Sequence, residues 1–200
     1  MFISLATFEA TDAPRLIAWI DSQLTLRAWA GSLFAFPLDE EQCNAYLASA
    51  QPPAPSRAIF KALNVETDEV VGHVELDGFD WENRSGFICR VLVGDDNHRG
   101  QGIGRAIVRA ACSLAFNELK LHRLAIGVLA TNAAAIRCYE HCGFQIEGCY
   151  RDLVNYDGQY QSMITMSLLS HEWREEQMMT PTSANPNKSV QAVYAANAPA

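Results

Sequence analysis

Seven consecutive residues, Arg99-Gly100-Gln101-Gly102-Ile103-Gly104-Arg105, constrain this chain's fold most. They follow the extended run Val91-Leu92-Val93 and open a long helical pattern. Glycine adopts left-handed backbone angles freely, so a strand can turn into a helix within a few residues here. Glycines also leave backbone N–H groups bare at the helix start. The helix dipole adds to their attraction for an anion. The reading is strand, turn, helix, with a phosphate-bearing ligand at the turn.

Two common phosphate motifs do not fit. A P-loop needs Gly-x4-Gly-Lys-Ser/Thr, and no Lys-Ser or Lys-Thr pair directly follows these glycines. A Rossmann fingerprint has a different glycine spacing and is expected early in a βαβ unit. This turn lies mid-chain, after strands that read as antiparallel. A plain tight turn with glycines for packing is the alternative.

The rest of the chain supplies an α/β order. Residues 2–9 read as a strand. Asp12 reads as the cap of a helix over 13–20, with Pro14 in its first turn. A helix is expected over 23–30. Asp39 and Gln42 resemble a capping box opening a helix to Ser49, and the prolines of 51–56 break it. Strands are expected over 57–65, 69–76 and 85–93. A helix over 102–118 carries Ile103, Ile107, Ala110 and Leu114 on one stripe. Then come a strand over 122–129, a helix over 132–141 ended by Gly143, and strands over 144–155 and 160–168 joined by Asp157-Gly158. This order predicts a mixed sheet flanked by helices. The periodic pattern stops near Glu176, so a domain over 1–172 and a low-complexity tail over 173–200 are expected.

Bulk properties exclude some partners. The 200 residues suit one domain. The net charge of −8, without a Lys/Arg-rich run, argues against nucleic acid as main ligand and suits a cationic amine. The start has no basic n-region and no sustained apolar run, so neither a signal peptide nor a membrane span is expected. The six cysteines form no CxxC pair; reduced thiols in a cytoplasmic protein and no metal are expected.

A second motif lies downstream: Asn132-Ala133-Ala134-Ala135-Ile136-Arg137-Cys138-Tyr139-Glu140-His141-Cys142-Gly143-Phe144. Asn132 and Tyr139 lie close to two turns apart, on one helix face. With the glycine turn, this motif resembles the GNAT superfamily of N-acetyltransferases. Arg99-Gly100-Gln101-Gly102-Ile103-Gly104 is similar to that family's Gln/Arg-x-x-Gly-x-Gly/Ala. The resemblance covers about residues 2–170. It implies a mostly antiparallel sheet whose strands splay at an acetyl-CoA site. The amides of Gln101 to Arg105 would hold the pyrophosphate, with Gly100 in the same site, and Arg99 and Arg105 either add charge-assisted contacts or are solvated. Val91, Leu92 and Val93 would offer backbone to the pantetheine arm. The stretch 94–98 is one residue longer than the commonest family spacing. Asn132 can cap its helix or bond the cofactor. Tyr139 is either a core aromatic or the acid that protonates the departing thiolate.

The implied reaction is direct attack of an amine on the thioester. Glu75 is the candidate base, and His73 shares its strand face; either residue can instead be an outward polar group on a half-exposed strand. Trp29, Phe34 and Phe36 either wall an acceptor pocket or pack the core. The segments 147–152 and 157–160 resemble a RimJ/RimL-type branch that modifies protein N-termini. Ser162 stands where that branch often has an acidic residue. The resemblance thus implies a primary amine as acceptor, of a small molecule or a protein N-terminus. A homodimer is compatible with the resemblance. A non-catalytic acyl-CoA-binding module of the same fold is the alternative function.

Overall fold

The computed structural model describes residues 2–50, 57–95 and 100–173. The proline break at 51–56, residues 96–98, Arg99 and the tail from residue 174 onward lie outside the described residues.

The strands are β1 (Ile3–Thr7), β2 (Arg57–Asn64), β3 (Val70–Asp80), β4 (Ser85–Val93), β5 (Arg123–Leu129), β6 (Gln145–Tyr156) and β7 (Gln159–Leu169). They form one sheet in the order β1-β2-β3-β4-β5-β7-β6. Neighbours are antiparallel except β4 and β5, which run parallel. A parallel pair needs a crossover, and the helix after the glycine turn provides it. The α-helices are α1 (Ala13–Trp19), α2 (Gln23–Ala30), α3 (Glu40–Ala48), α4 (Ile103–Ser113) and α5 (Ala133–Glu140). The expected element order and mixed sheet are both present.

Local chemistry explains most boundaries. Ser22 caps α2 by accepting from the Thr25 amide at 3.1 Å. Asp39 caps α3 through the Gln42 amide at 2.9 Å. The Gln42 side chain does not close a box. It accepts from the Ala35 amide and donates to the Pro37 carbonyl, pinning the preceding loop. Asp12 also departs from expectation, since its carboxylate makes no cap bond to α1. It accepts instead from the Glu9 amide, Arg15 and Lys61 of β2. Both residues of the Asp157-Gly158 turn have positive φ, 50° and 86°, as a tight hairpin requires. Beyond Ser113, helix α4 continues as a π-helical turn, Leu114–Glu118.

Two apolar clusters sandwich the sheet. Phe60, Val74, Leu76, Ile88, Ile107, Leu124 and Met166 pack beneath α4 and α5. Phe8, Leu16, Leu26, Tyr46, Ile59 and Leu92 pack beneath α1–α3. The central part of β3, Val71–Leu76, is therefore buried on both faces. Trp173 is also buried, beside Phe116 and under the Arg109 guanidinium. The packed body thus includes residue 173, the first residue of the expected tail.

Candidate active site

The parallel pairing of β4 with β5 begins at Ser85↔Arg123 and ends at Ile88↔Ile126. Beyond that point the two strands part, leaving the later backbone of each without a partner across the gap. Just there, β4 carries a bulge. His73 pairs with Leu92 and Glu75 with Cys89, so Arg90 and Val91 together face the single residue Val74. Arg90 has φ +50°. Such a bulge normally places glycine at the left-handed position. A non-glycine residue there costs on the order of 1–3 kcal/mol.

The glycine turn sits at the mouth of this gap. Gly100 (φ +77°) and Gly102 (φ +81°) need the left-handed conformation, and a Cβ on either would meet nothing within 4 Å. The space over their backbone is open. Gly102 is the N-cap of α4 and supplies no side-chain cap. Among the described residues, no side chain caps the first amides of α4. Gly104 serves differently. A Cβ there would lie 3.5 Å from Val93 Cγ2 and 4.0 Å from Cys138 Sγ, so β4, α4 and α5 converge on it. The Ile103 side chain is in the core, while Gly100, Gln101, Gly102 and Arg105 are exposed. Val91 and Val93 pack toward α4, and Leu92 packs beneath α1–α3, so all three can offer only backbone to the gap.

Helix α5 packs against the start of α4 beside the glycine turn. Asn132 caps α5 by accepting from the Ala135 amide at 3.1 Å. Tyr139 is buried against Phe144. Its hydroxyl makes no hydrogen bond among the described residues. Burial, with the neighbouring Cys138, Cys142 and Cys89, pushes the phenol well above its ordinary range, so it keeps its proton at neutral pH. Cys142 Sγ lies 3.7 Å from the Arg105 carbonyl. The Cys142 thiol and the charges of Arg105 and His141 lower the Cys138 thiol, against the effect of burial.

Glu75 lies on the opposite face, wholly enclosed. Arg90 donates to it through Nε and Nη2, and the Tyr46 hydroxyl adds a further bond. Arg57 Nη1 stands 3.7 Å away. Burial raises the Glu75 carboxyl, while Arg90 and Tyr46 pull it back. Burial also disfavours the Arg90 charge, but the bonds to Glu75 outweigh that and hold the guanidinium protonated. Breaking such a buried pair from one side costs on the order of 3–5 kcal/mol. Glu75 exposes no surface and its carboxylate is held by Arg90 and Tyr46, an environment that suits an anchor. His73 is equally enclosed. Its Nδ1 donates to the Arg90 carbonyl at 3.1 Å, and its Nε2 is buried without a partner among the described residues. Burial lowers its pKa to about 4.

Two further features close the cleft. Trp29 stacks on Phe34, whose edge meets Tyr46, so Trp29 and Phe34 are core-packed; Phe36 is exposed. The β6–β7 hairpin leans onto α2. Tyr156 donates to the Arg27 carbonyl at 2.9 Å, and Asp157 pairs with the Arg27 guanidinium at 3.4 Å. No sequence signal pointed to that contact or to Arg90. Among the described residues no cluster of three His, Cys, Asp or Glu is placed to hold a metal, and no helix is long and apolar enough to cross a membrane.

Comparison with known proteins bears on this geometry. The probable N-acetyltransferase YjcK of Bacillus subtilis (strain 168) is 31% identical over 114 residues, 56% of this chain and 61% of that protein. Spermidine N(1)-acetyltransferase of Vibrio cholerae is 29% identical over 104 residues, 52% of this chain and 59% of that protein. The chain thus matches these two relatives over about three fifths of their length. The crystal structure of spermidine N-acetyltransferase from Vibrio cholerae in complex with CoA and spermine has the same fold, with a TM-score of 0.74. It is 21% identical and covers 86% of this chain and 98% of that one. The acetyltransferase (GNAT) domain model matches residues 3–145, which include the bulge, the glycine turn and Tyr139; the chain belongs to this family.

Proposed function

We propose that the protein transfers an acetyl group from acetyl-CoA to a primary amine, of a small molecule or a protein N-terminus, by direct attack on the thioester. The observation that carries this reading is the open, uncapped N-terminus of α4 beside the parted β4 and β5. Two left-handed glycines leave no side chain in that cradle, so the residues fit a pyrophosphate. The names of the relatives, spermidine N-acetyltransferase among them, support amine acetylation.

In this reading the amides of Gln101 to Arg105 hold the pyrophosphate, and Arg99 and Arg105 add charge at its rim. The backbone of Val91–Val93 lines the pantetheine channel. The Asn132 oxygen is committed to its cap, which leaves its amide nitrogen for the cofactor. The Tyr139 hydroxyl donates its proton to the departing sulfur, as its protonated state allows. The amine meets the thioester in the β4–β5 gap. An alkyl ammonium, with a pKa of about 10, must first lose its proton, so the rate rises with pH below that value. The reading includes a cytoplasmic setting, supported by six cysteines that form no disulfide.

Release of coenzyme A thiol tests the proposal. The protein is given acetyl-CoA with polyamines, aminoglycosides, amino acids and N-terminal peptides. Turnover with at least one amine is expected. Tight binding of acetyl-CoA without turnover of any amine would instead establish a binding module.

A further inference from the structure

Arg90 is gripped at both ends. Its guanidinium is fixed by Glu75, and Glu75 is steadied by the Tyr46 hydroxyl. Its carbonyl accepts from the Trp29 indole N–H at 2.8 Å and from His73 Nδ1 at 3.1 Å. Asp77 adds a contact to Nη2 at 3.1 Å. Bonds from α2 and β3 thus converge on one residue of β4, and Tyr46 of α3 backs the Glu75 that holds it. That residue holds the left-handed position of the bulge, two residues past the last β4–β5 pair.

We infer that Glu75 is a positioning residue that, with Tyr46, Trp29 and His73, locks Arg90 in its left-handed conformation and so sets the course of Val91–Val93 away from β5. The locked bulge fixes the width of the gap from the face opposite α4. A free arginine would relax to an ordinary extended conformation, and β4 would swing back toward β5. What the gap receives rests on the acetyl-transfer reading; the lock itself rests on the contacts around Arg90.

The two roles open to Glu75 predict different variants. Coenzyme A affinity is measured by calorimetric titration. Turnover is followed against pH with an amine that the wild type accepts. As an anchor, Glu75→Gln weakens coenzyme A binding and lowers kcat, each by about tenfold or more, because a shift near 1 Å misaligns the site. The pH at half-maximal kcat/KM stays put. The double variant Glu75→Gln with Arg90→Gly recovers most of both losses, since glycine takes the +50° angle without strain and removes the stranded guanidinium. Tyr46→Phe, which removes one hydroxyl, acts in the same direction by about two- to fivefold.

Unchanged coenzyme A affinity in Glu75→Gln, with a loss of turnover that shrinks as pH rises toward the amine's pKa of about 10, would overturn the anchor and make Glu75 a base. A double variant no better than Glu75→Gln would also overturn it. If Glu75→Gln does not fold, Tyr46→Phe decides, and unaltered affinity refutes the lock. A wild type that binds no coenzyme A would sink the acetyl-transfer reading instead. The lock is then judged by hydrogen exchange at Val91–Val93, which must quicken in Tyr46→Phe.

Discussion

Tyr139 has one polar atom in a nearly closed apolar setting. Because burial holds its phenol protonated, it suits proton donation and not nucleophilic attack. Replacing it by phenylalanine removes the proton and keeps the packing. Tyr139→Phe should lower kcat by about 10²–10⁴-fold and leave the dissociation constant for coenzyme A unchanged. Steady-state kinetics beside a binding titration check this; an equal loss of binding would give the residue a packing role only. Tyr139 was readable from the sequence because its motif frames it. Glu75 and His73 were readable as residues of interest but not in their surroundings. Strand alternation suggests that one face of β3 is half-exposed, yet α1–α3 cover it. Arg90 gave no signal at all, because nothing marks an arginine destined for a left-handed angle.

Among the elements, the readable features are those set by local chemistry. The Asp157-Gly158 turn, the Ser22 and Asp39 caps and the apolar stripe of α4 all depend on neighbours within a few residues. Long-range competition decided the departures. Lys61 of β2, Arg15 and the Glu9 amide take the Asp12 carboxylate away from the first amides of α1. The 35–37 loop takes the Gln42 side chain. The glycines of the turn divide their work: Gly100 and Gly102 supply backbone angles, and Gly104 permits close packing. The parting of β4 from β5 is not a local property. It follows from the bulge, and the bulge is held by residues from α2, α3 and β3.

At the scale of the whole molecule, burying both sheet faces encloses His73 without charge. Its pKa is about 4 in the fold against an ordinary 6.5. The unfolded chain takes up a proton below pH 6.5, while the folded chain stays neutral there until about pH 4. Stability is therefore lost as pH falls through that window, by about 3 kcal/mol in all, and the loss levels off below it. Urea unfolding of the wild type and His73→Gln at pH 7 and pH 5 measures this. A shallower dependence is expected in the variant; identical slopes would contradict it. The net charge of −8 belongs to the same scale and favours approach of a cationic amine. The proposed acetyl transfer requires the N-terminus of α4 to hold the pyrophosphate of acetyl-CoA. Gly102→Asp tests it most directly, because aspartate tolerates left-handed angles and the space there is open. In a calorimetric titration with coenzyme A, the wild type should bind. The variant should keep its fold by circular dichroism and lose at least about a hundredfold in affinity through like-charge repulsion. Equal affinity in the two proteins would contradict the account.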